Sequence, residues 1–157
     1  MQTMKEAASQ FLAHKRIAVT GVSRRNPGEH GANSVFRRLR DRGYEVFAVN
    51  PNTDKVEGAP SYHDLRSIPG GVEAVVIGTA PDKAEGTMRE CAELGIKHVW
   101  MHRAYGNGSV SPAATAYGRE HGITVIDGGC PLMFEPTADF AHKVMRVVCA
   151  GHVPKTV

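Results

Sequence analysis

The segment IAVTGVS at residues 17–23 decides the fold. Its first four residues are apolar or β-branched without polar alternation, which is typical of a strand that is buried on both faces of a parallel sheet. Gly21 ends the strand, a polar loop with Pro and Gly follows, and an amphipathic helical pattern then runs from about Asn33 to Arg42. This order of strand, loop and helix predicts the first unit of an α/β sheet.

The same alternation continues along the chain. We predict strands at residues 17–20, 44–49, 72–78, 98–101 and 123–126, helices at 3–13, 33–42, 82–94, 111–121 and 137–149, and a short turn or helix at 61–68. This pattern predicts an α/β, Rossmann-like fold, in which an open parallel five-stranded sheet carries helices on both faces in three layers. We expect a single domain over residues 1–157, with a core at 16–149 and a loose tail at 151–157.

The composition excludes several classes of protein. The formal net charge of +3 is small, and the basic residues lack the clustering of a nucleic-acid-binding face. The three cysteines, Cys91, Cys130 and Cys149, are too widely spaced for a disulfide framework or a zinc site, and free thiols fit a reducing compartment. No apolar run has the roughly 18 residues that span a bilayer, and the start of the chain lacks a signal-peptide core. We expect a cytoplasmic protein that binds neither nucleic acid nor membrane.

The loop after the first predicted strand carries the residues of an anion site. Ligands of open α/β sheets bind beyond the carboxyl ends of the strands. Gly21 has no side chain to obstruct a ligand, Ser23 supplies a hydroxyl and an amide, and Arg24 and Arg25 can hold phosphate. The start of the next helix adds a positive dipole end. We predict a phosphate or diphosphate site here, and we expect Gly21→Val to abolish binding while the fold is retained.

The same loop is not a nicotinamide dinucleotide fingerprint. Ser23 and Asn26 stand where the second and third glycines of GxGxxG would be, and no P-loop is present. The second strand ends at Asn50, where NAD-binding proteins place an acidic residue for the ribose diol. A neutral residue near several basic ones favours a phosphorylated ribose, which NADP and coenzyme A both carry.

An ordered set of short motifs extends through most of the chain. These are IAVTGVS at 17–23, Asn26-Pro27, Ser34, RDRGYEVFAVNP at 40–51, Glu57-Gly58, SYHDLRSIP at 61–69, VEAVVIGTAP at 72–81 and ELGIKHVWMH at 93–102. The set resembles the small stand-alone CoA-binding domain proteins, which are similar to the CoA-binding domain of succinyl-CoA synthetase alpha subunits. The resemblance implies a Rossmann-like domain that binds coenzyme A.

The resemblance also implies which residues contact the ligand. Gly21, Val22 and Ser23 would meet the diphosphate, Arg24, Arg25 and Ser34 would contact phosphates, and Asn26 would extend the same loop. Asn50, Pro51 and Lys55 would flank the adenosine end, and Thr79, Ala80 and Pro81 would line the pantetheine or adenine edge. The ligase and acetyltransferase domains that are fused to larger relatives are missing here, so the resemblance does not extend to synthetase activity.

These observations predict a CoA- or acyl-CoA-binding protein with a non-catalytic or regulatory role. No pair of carboxylates and no nucleophile with a histidine partner is readable, and we assign no catalytic residue. The alternatives are an NADP-binding oxidoreductase, a redox-sensing nucleotide-binding domain, and an interaction domain that has lost its ligand. A homodimer is also left open.

The segment DGGCPLMFEP at residues 127–136 departs from the simplest pattern of these proteins. Cys130 precedes a predicted helix, where a thiol pKa can be lowered. It could therefore form a mixed disulfide with coenzyme A or sense redox state, or it could be a small buried residue that packs a turn. His102, Asp127, Cys130 and His142 match no compact metal-ligand spacing, so we expect a structural role for His142 and no metal.

Overall fold

The structure is a computed structural model that describes residues 1–25, 31–104, 106 and 108–157. In chain order its elements are α1 (Met4–Leu12), β1 (Arg16–Thr20), α2 (Ala32–Asp41), β2 (Glu45–Val49), β3 (Lys55–Val56), β4 (Ala59–Tyr62), β5 (Ala74–Ile77), α3 (Pro81–Glu93), β6 (His98–Met101), α4 (Pro112–Glu120), β7 (Thr124–Asp127) and α5 (Phe140–Val148). Single 3₁₀ turns lie at Pro131–Met133 and Ala150–His152. Among these helices none is long and apolar enough to cross a membrane.

The strands form one sheet in the order β3-β4-β2-β1-β5-β6-β7. Each pairing is parallel except that of β3 with β4. The prediction of a Rossmann-like α/β fold is confirmed. The count of five strands was too low, because β3 and β4 add a short hairpin beside β2 within the described residues. The start of the turn or helix predicted at 61–68 belongs to β4, where Ser61 pairs with Ala48.

Helices cover both faces of the sheet. On one face α1, α2 and the turn at Pro131–Met133 pack against Val19, Val76 and Trp100. On the other face α3 and α4 pack against Val75 and Val99. Consecutive residues of β5 thus enter opposite cores, as the two-residue period of a strand requires. The sheet and its helices form three layers. Because the central strands are parallel, the carboxyl ends of β1, β2, β5, β6 and β7 lie at the same edge of the sheet.

The end of the chain is attached to its beginning, so the expectation of a loose tail at residues 151–157 was wrong. Thr156 forms an antiparallel bridge with Thr3, and the amide of Met4 donates to the carbonyl of Lys155 at 3.0 Å. Val153 and Val157 pack against the core of the α1 and α2 face. Main-chain hydrogen bonds and apolar burial both oppose fraying here.

Candidate functional site

The turn Gly21-Val22-Ser23 lies where the ends of β1 and β5 come closest. Gly21 has a φ of +81°, and a Cβ there would lie 2.5 Å from the carbonyl oxygen of Gly78. A Cβ at Gly78 would lie 2.6 Å from the Cβ of Ala32, at the start of α2. The two glycines therefore let β1, β5 and α2 meet. The space that a side chain at Gly21 would need is filled by protein backbone, so the expectation that Gly21→Val spares the fold was wrong.

Two asparagine side chains fix the backbone of this turn. The Nδ2 of Asn50 donates to the carbonyl of Val22 at 2.9 Å. The Oδ1 of Asn33 accepts from the amide of Ser23 at 2.9 Å, and its Nδ2 donates to the Ser23 carbonyl at 2.7 Å. The amide of Ser23, which the sequence suggested as a ligand donor, is therefore used within the protein. Asn33 was not among the predicted residues, although its polar side chain in the first turn of an otherwise apolar helix face was a usable signal.

Around the turn, the described residues line three cavities. The α3 cavity, about 600 Å³, lies between the ends of β1 and β2 and helix α3. The α2 cavity, about 280 Å³, lies at the start of α2 beside the ends of β5 and β6. The hairpin cavity, about 340 Å³, lies between the turn and the β3–β4 hairpin. Thr79 lines both the α3 and the α2 cavity, so these two cavities adjoin and form one path along the carboxyl edge of the sheet.

Most of the predicted site residues line these cavities. Gly21, Asn50 and Pro51 line the α3 cavity, Thr79 lines both the α3 and α2 cavities, Ala80 lines the α2 cavity, and Ser23, Arg24 and Lys55 line the hairpin cavity. Val22 is buried in the core, Arg25 is exposed, and Pro81 is the first residue of α3. Asn26 lies outside the described residues. Their ligand contacts stay predictions.

Ser34, which we predicted to contact phosphates, lines a different cavity from the residues of the Gly21 turn. It lines a small inner cavity of about 20 Å³ between α2, α5 and the turn that begins at Cys130. This inner cavity shares Gly31, His102 and Ala104 with the α2 cavity, so it forms the deep end of the same path.

Sequence reasoning missed several residues that line the path. Lys83 and Thr87 stand one turn apart on α3 and face the α3 cavity together with Leu65. His102 follows β6 and lines both the α2 and inner cavities. The four-residue spacing on α3 was a usable signal, whereas the direction of His102 depends on how β6 is aligned with β5.

The hairpin cavity carries an excess of positive charge. Arg24 and Lys55 are exposed, and among the described residues neither has an ion-pair partner. The acid that lines this cavity, Glu57, accepts hydrogen bonds from Asn33 at 2.7 Å and from Arg37 at 2.9 Å. Because the Glu57 charge is compensated by these donors, the cavity suits an anion.

The hypothesis of a reactive Cys130 is contradicted by its surroundings. The residue is 2% exposed, and burial raises the pKa of its thiol to about 12. The helix that follows is a single 3₁₀ turn, which gives little dipole to oppose this burial. Cys130 is therefore a packing residue, which was the alternative interpretation.

His142 is held in a buried polar cluster. Its Nδ1 lies 2.8 Å from Asp139 Oδ1 and 3.3 Å from the Arg38 guanidinium, which also forms an ion pair with Asp139. Partial burial raises the pKa of Asp139. Hydrogen bonds from His142 and the charge of Arg38 outweigh this effect and hold the pKa below its usual value. Within the described part of the chain no group of His, Cys, Asp and Glu could hold a metal ion.

Known proteins share this domain. A family model described as "CoA binding domain" matches residues 15–136. The chain is 30% identical over 116 residues to the uncharacterized protein YneT of Bacillus subtilis, which covers 74% of this chain and 82% of YneT. It is 33% identical over 151 residues to the alpha subunit of ADP-forming acetate–CoA ligase II of Pyrococcus furiosus. That alignment covers 91% of this chain but only 32% of the subunit. The solved structure of Prb, described as PH1109 protein redesigned for binding, superposes with a TM-score of 0.76 at 26% identity over 89% of this chain and 96% of that chain.

Proposed function

Because the chain belongs to the CoA-binding domain family, we propose that it binds coenzyme A or an acyl-CoA along the carboxyl edge of its sheet. The adenosine occupies the α3 cavity, whose volume of about 600 Å³ lies within the range of small-molecule sites, about 300–1,000 Å³. The diphosphate lies beside the Gly21 turn and the start of α2, and the pantetheine arm follows the α2 cavity.

One observation carries this proposal: Arg24 and Lys55, which have no ion-pair partner among the described residues, line a cavity next to the turn at the end of β1. They are placed to bind the phosphate on the ribose of coenzyme A, and a flexible lysine and a forked guanidinium are both suited to phosphate oxygens. The starting amides of α2, which no side chain in the described part of the protein caps, supply further donors for the diphosphate.

The end of β2 argues against a nicotinamide cofactor. The Asn50 amide group donates to Val22, and its Oδ1 accepts from the amide of Asn52 at 2.8 Å. Its side chain is therefore committed to the loop and is not free to hold a ribose diol, which is the task of the acidic residue in NAD-binding proteins.

We propose that the function is ligand binding, with a carrier or regulatory outcome, and not acyl-CoA synthesis. The chain spans about a third of the length of the ligase subunit that it resembles. The activity of that whole subunit therefore gives no direct assignment here.

Thermal unfolding and calorimetry with CoA, dephospho-CoA and NADP test the proposal. A ligand at a hundred times its Kd stabilises the folded state by about 2.7 kcal/mol. We expect CoA to give such a shift, dephospho-CoA a smaller one and NADP the smallest. The proposal would be refuted if NADP raised the unfolding temperature as much as CoA or more, or if CoA did not raise it.

A matched pair of variants tests the phosphate assignment. We expect Lys55→Ala to weaken CoA about 10-fold or more, which is the effect of one charged hydrogen bond, and to leave dephospho-CoA unchanged. Lys97→Ala is the control, because Lys97 is exposed just before β6, at the opposite edge of the sheet. If both variants behave alike, or if Lys55→Ala weakens both ligands equally, Lys55 does not bind the ribose phosphate.

A further inference from the structure

The path along the carboxyl edge ends in the inner cavity. Its volume is about 20 Å³, which is roughly the space that one water-sized group needs. Its walls include Val35, Leu132 and Met145, which are apolar, and the buried Cys130. Such a small space accepts the end of a short acyl group, a methyl with its carbonyl, and leaves no room for a longer chain.

A buried hydroxyl in this cavity has no hydrogen-bond partner in the part of the chain that the structure describes. Ser34 is 3% exposed, and within the described residues its hydroxyl makes no hydrogen bond. Buried hydroxyls in native proteins are nearly always paired, so an unpaired one that lines a cavity can pair with a bound group. Thr79 Oγ1, where the α2 and α3 cavities meet, is a second buried hydroxyl without a partner.

His102 stands at the junction between the α2 cavity and the inner cavity. Burial, with a contribution from the charge of the neighbouring His142, lowers the pKa of His102 to about 4. At neutral pH its imidazole is therefore uncharged. His102 therefore adds no charge at the entrance to the inner cavity, which is compatible with an uncharged thioester.

We propose that the inner cavity is the acyl subsite of this CoA site, and that it selects acetyl-CoA, with the Ser34 hydroxyl donating to the thioester carbonyl oxygen. The acetyl methyl group lies against Val35, Leu132 and Met145. Longer acyl chains do not fit unless these walls move. This inference rests on the proposed function, because the pantetheine arm must follow the α2 cavity to bring the thioester here.

Calorimetry with CoA, acetyl-CoA, butyryl-CoA and hexanoyl-CoA on the full chain tests the subsite. We expect acetyl-CoA to bind several-fold more tightly than CoA, and the two longer thioesters more weakly than acetyl-CoA. Equal affinity for acetyl-CoA and hexanoyl-CoA would overturn the subsite while leaving CoA binding intact. Absence of binding by all four ligands would overturn the proposed function itself.

Ser34→Ala separates the hydroxyl from the shape of the cavity. We expect it to weaken acetyl-CoA about 3–10-fold, the effect of one neutral hydrogen bond, and to change CoA less than twofold. Because the hydroxyl is unpaired without ligand, the free variant should unfold at the same temperature as the wild type or higher. A lower unfolding temperature, or an equal loss for both ligands, would overturn the role of Ser34.

A pair of substitutions on α5 tests the wall. Met145→Ala enlarges the inner cavity and should raise the affinity for butyryl-CoA several-fold relative to acetyl-CoA. Val147→Ala is the control, because Val147 is on the same helix and 73% exposed. An unchanged ratio in Met145→Ala, or the same change in both variants, would show that the acyl group lies elsewhere.

Discussion

Replacing Gly21 with Ala should destabilise the protein far more than an ordinary glycine substitution. The residue has a φ of +81°, where a side chain costs about 1–2 kcal/mol. The new Cβ would also lie 2.5 Å from the Gly78 oxygen and 2.8 Å from the Thr79 amide nitrogen. Because these are backbone atoms of the β5 end, the strand must shift, and such overpacking costs about another 1–3 kcal/mol. The sum is about 2–5 kcal/mol.

Comparison with Gly43→Ala isolates the second contribution, the steric conflict with the end of β5. Gly43 has nearly the same φ, +86°, but nothing lies within 4 Å of the position of its Cβ. We therefore expect only the conformational cost of about 1–2 kcal/mol in this variant. Urea unfolding of the wild type and both variants gives the two free energies of unfolding. If they decrease by the same amount, the ends of β1 and β5 are not in the contact that Gly21 permits, and the account of this turn is wrong.

Three further predictions concern stability. Burial lowers the pKa of His102 from 6.5 to about 4. The free energy of unfolding should therefore fall by up to about 3 kcal/mol as the pH drops from 6.5 toward 4. His102→Gln should reduce this pH dependence in urea titrations, and an unchanged pH dependence would contradict the prediction. Asn33→Ala removes both hydrogen bonds to Ser23. It should lower the free energy of unfolding by about 2–3 kcal/mol and weaken CoA binding in calorimetry. Unchanged CoA affinity would show that ligand binding does not need these hydrogen bonds. Deleting residues 153–157 exposes core beneath two valines, and should lower the free energy of unfolding by about 2–4 kcal/mol, whereas a loose tail would leave it unchanged.

The fold was readable because its central strands are buried on both faces. Residues 74–77 of β5 are all apolar and all buried, so no tertiary information was needed to recognise them. The β3–β4 hairpin gave no such signal. Its first strand has two residues, Lys55 and Val56, and a pattern of that length has no measurable period. The attached tail was missed for a related reason, since its hydrogen bonds run to residues about 150 positions away.

The sequence was sufficient to predict that the site lies at the carboxyl edge of the sheet. It was not sufficient to predict which cavity each side chain lines. Parallel strands bring their carboxyl ends together, so residues 21–24, 50, 51 and 79 could be grouped from sequence. The directions in which their side chains point could not be predicted from sequence. Ser34 and Asn33 are adjacent in α2, yet Asn33 holds the turn beside the hairpin cavity and Ser34 faces the inner cavity. One residue of rotation on a helix, about 100°, decides which cavity a side chain enters.

The hydrogen bonds of the turn show where affinity for a diphosphate must come from. The amide of Gly21 donates to the Val49 carbonyl at 3.2 Å, and that of Ser23 donates to Asn33. These amides hold β1, β2 and α2 together, so they shape the turn and contribute little to an anion. Within the residues that the structure describes, the start of α2 has no side-chain cap, and Arg24 and Lys55 have no ion-pair partner, so these groups are the stronger sources. The turn therefore places the ligand, and charge beside it supplies most of the attraction, which salt will screen at the exposed cations.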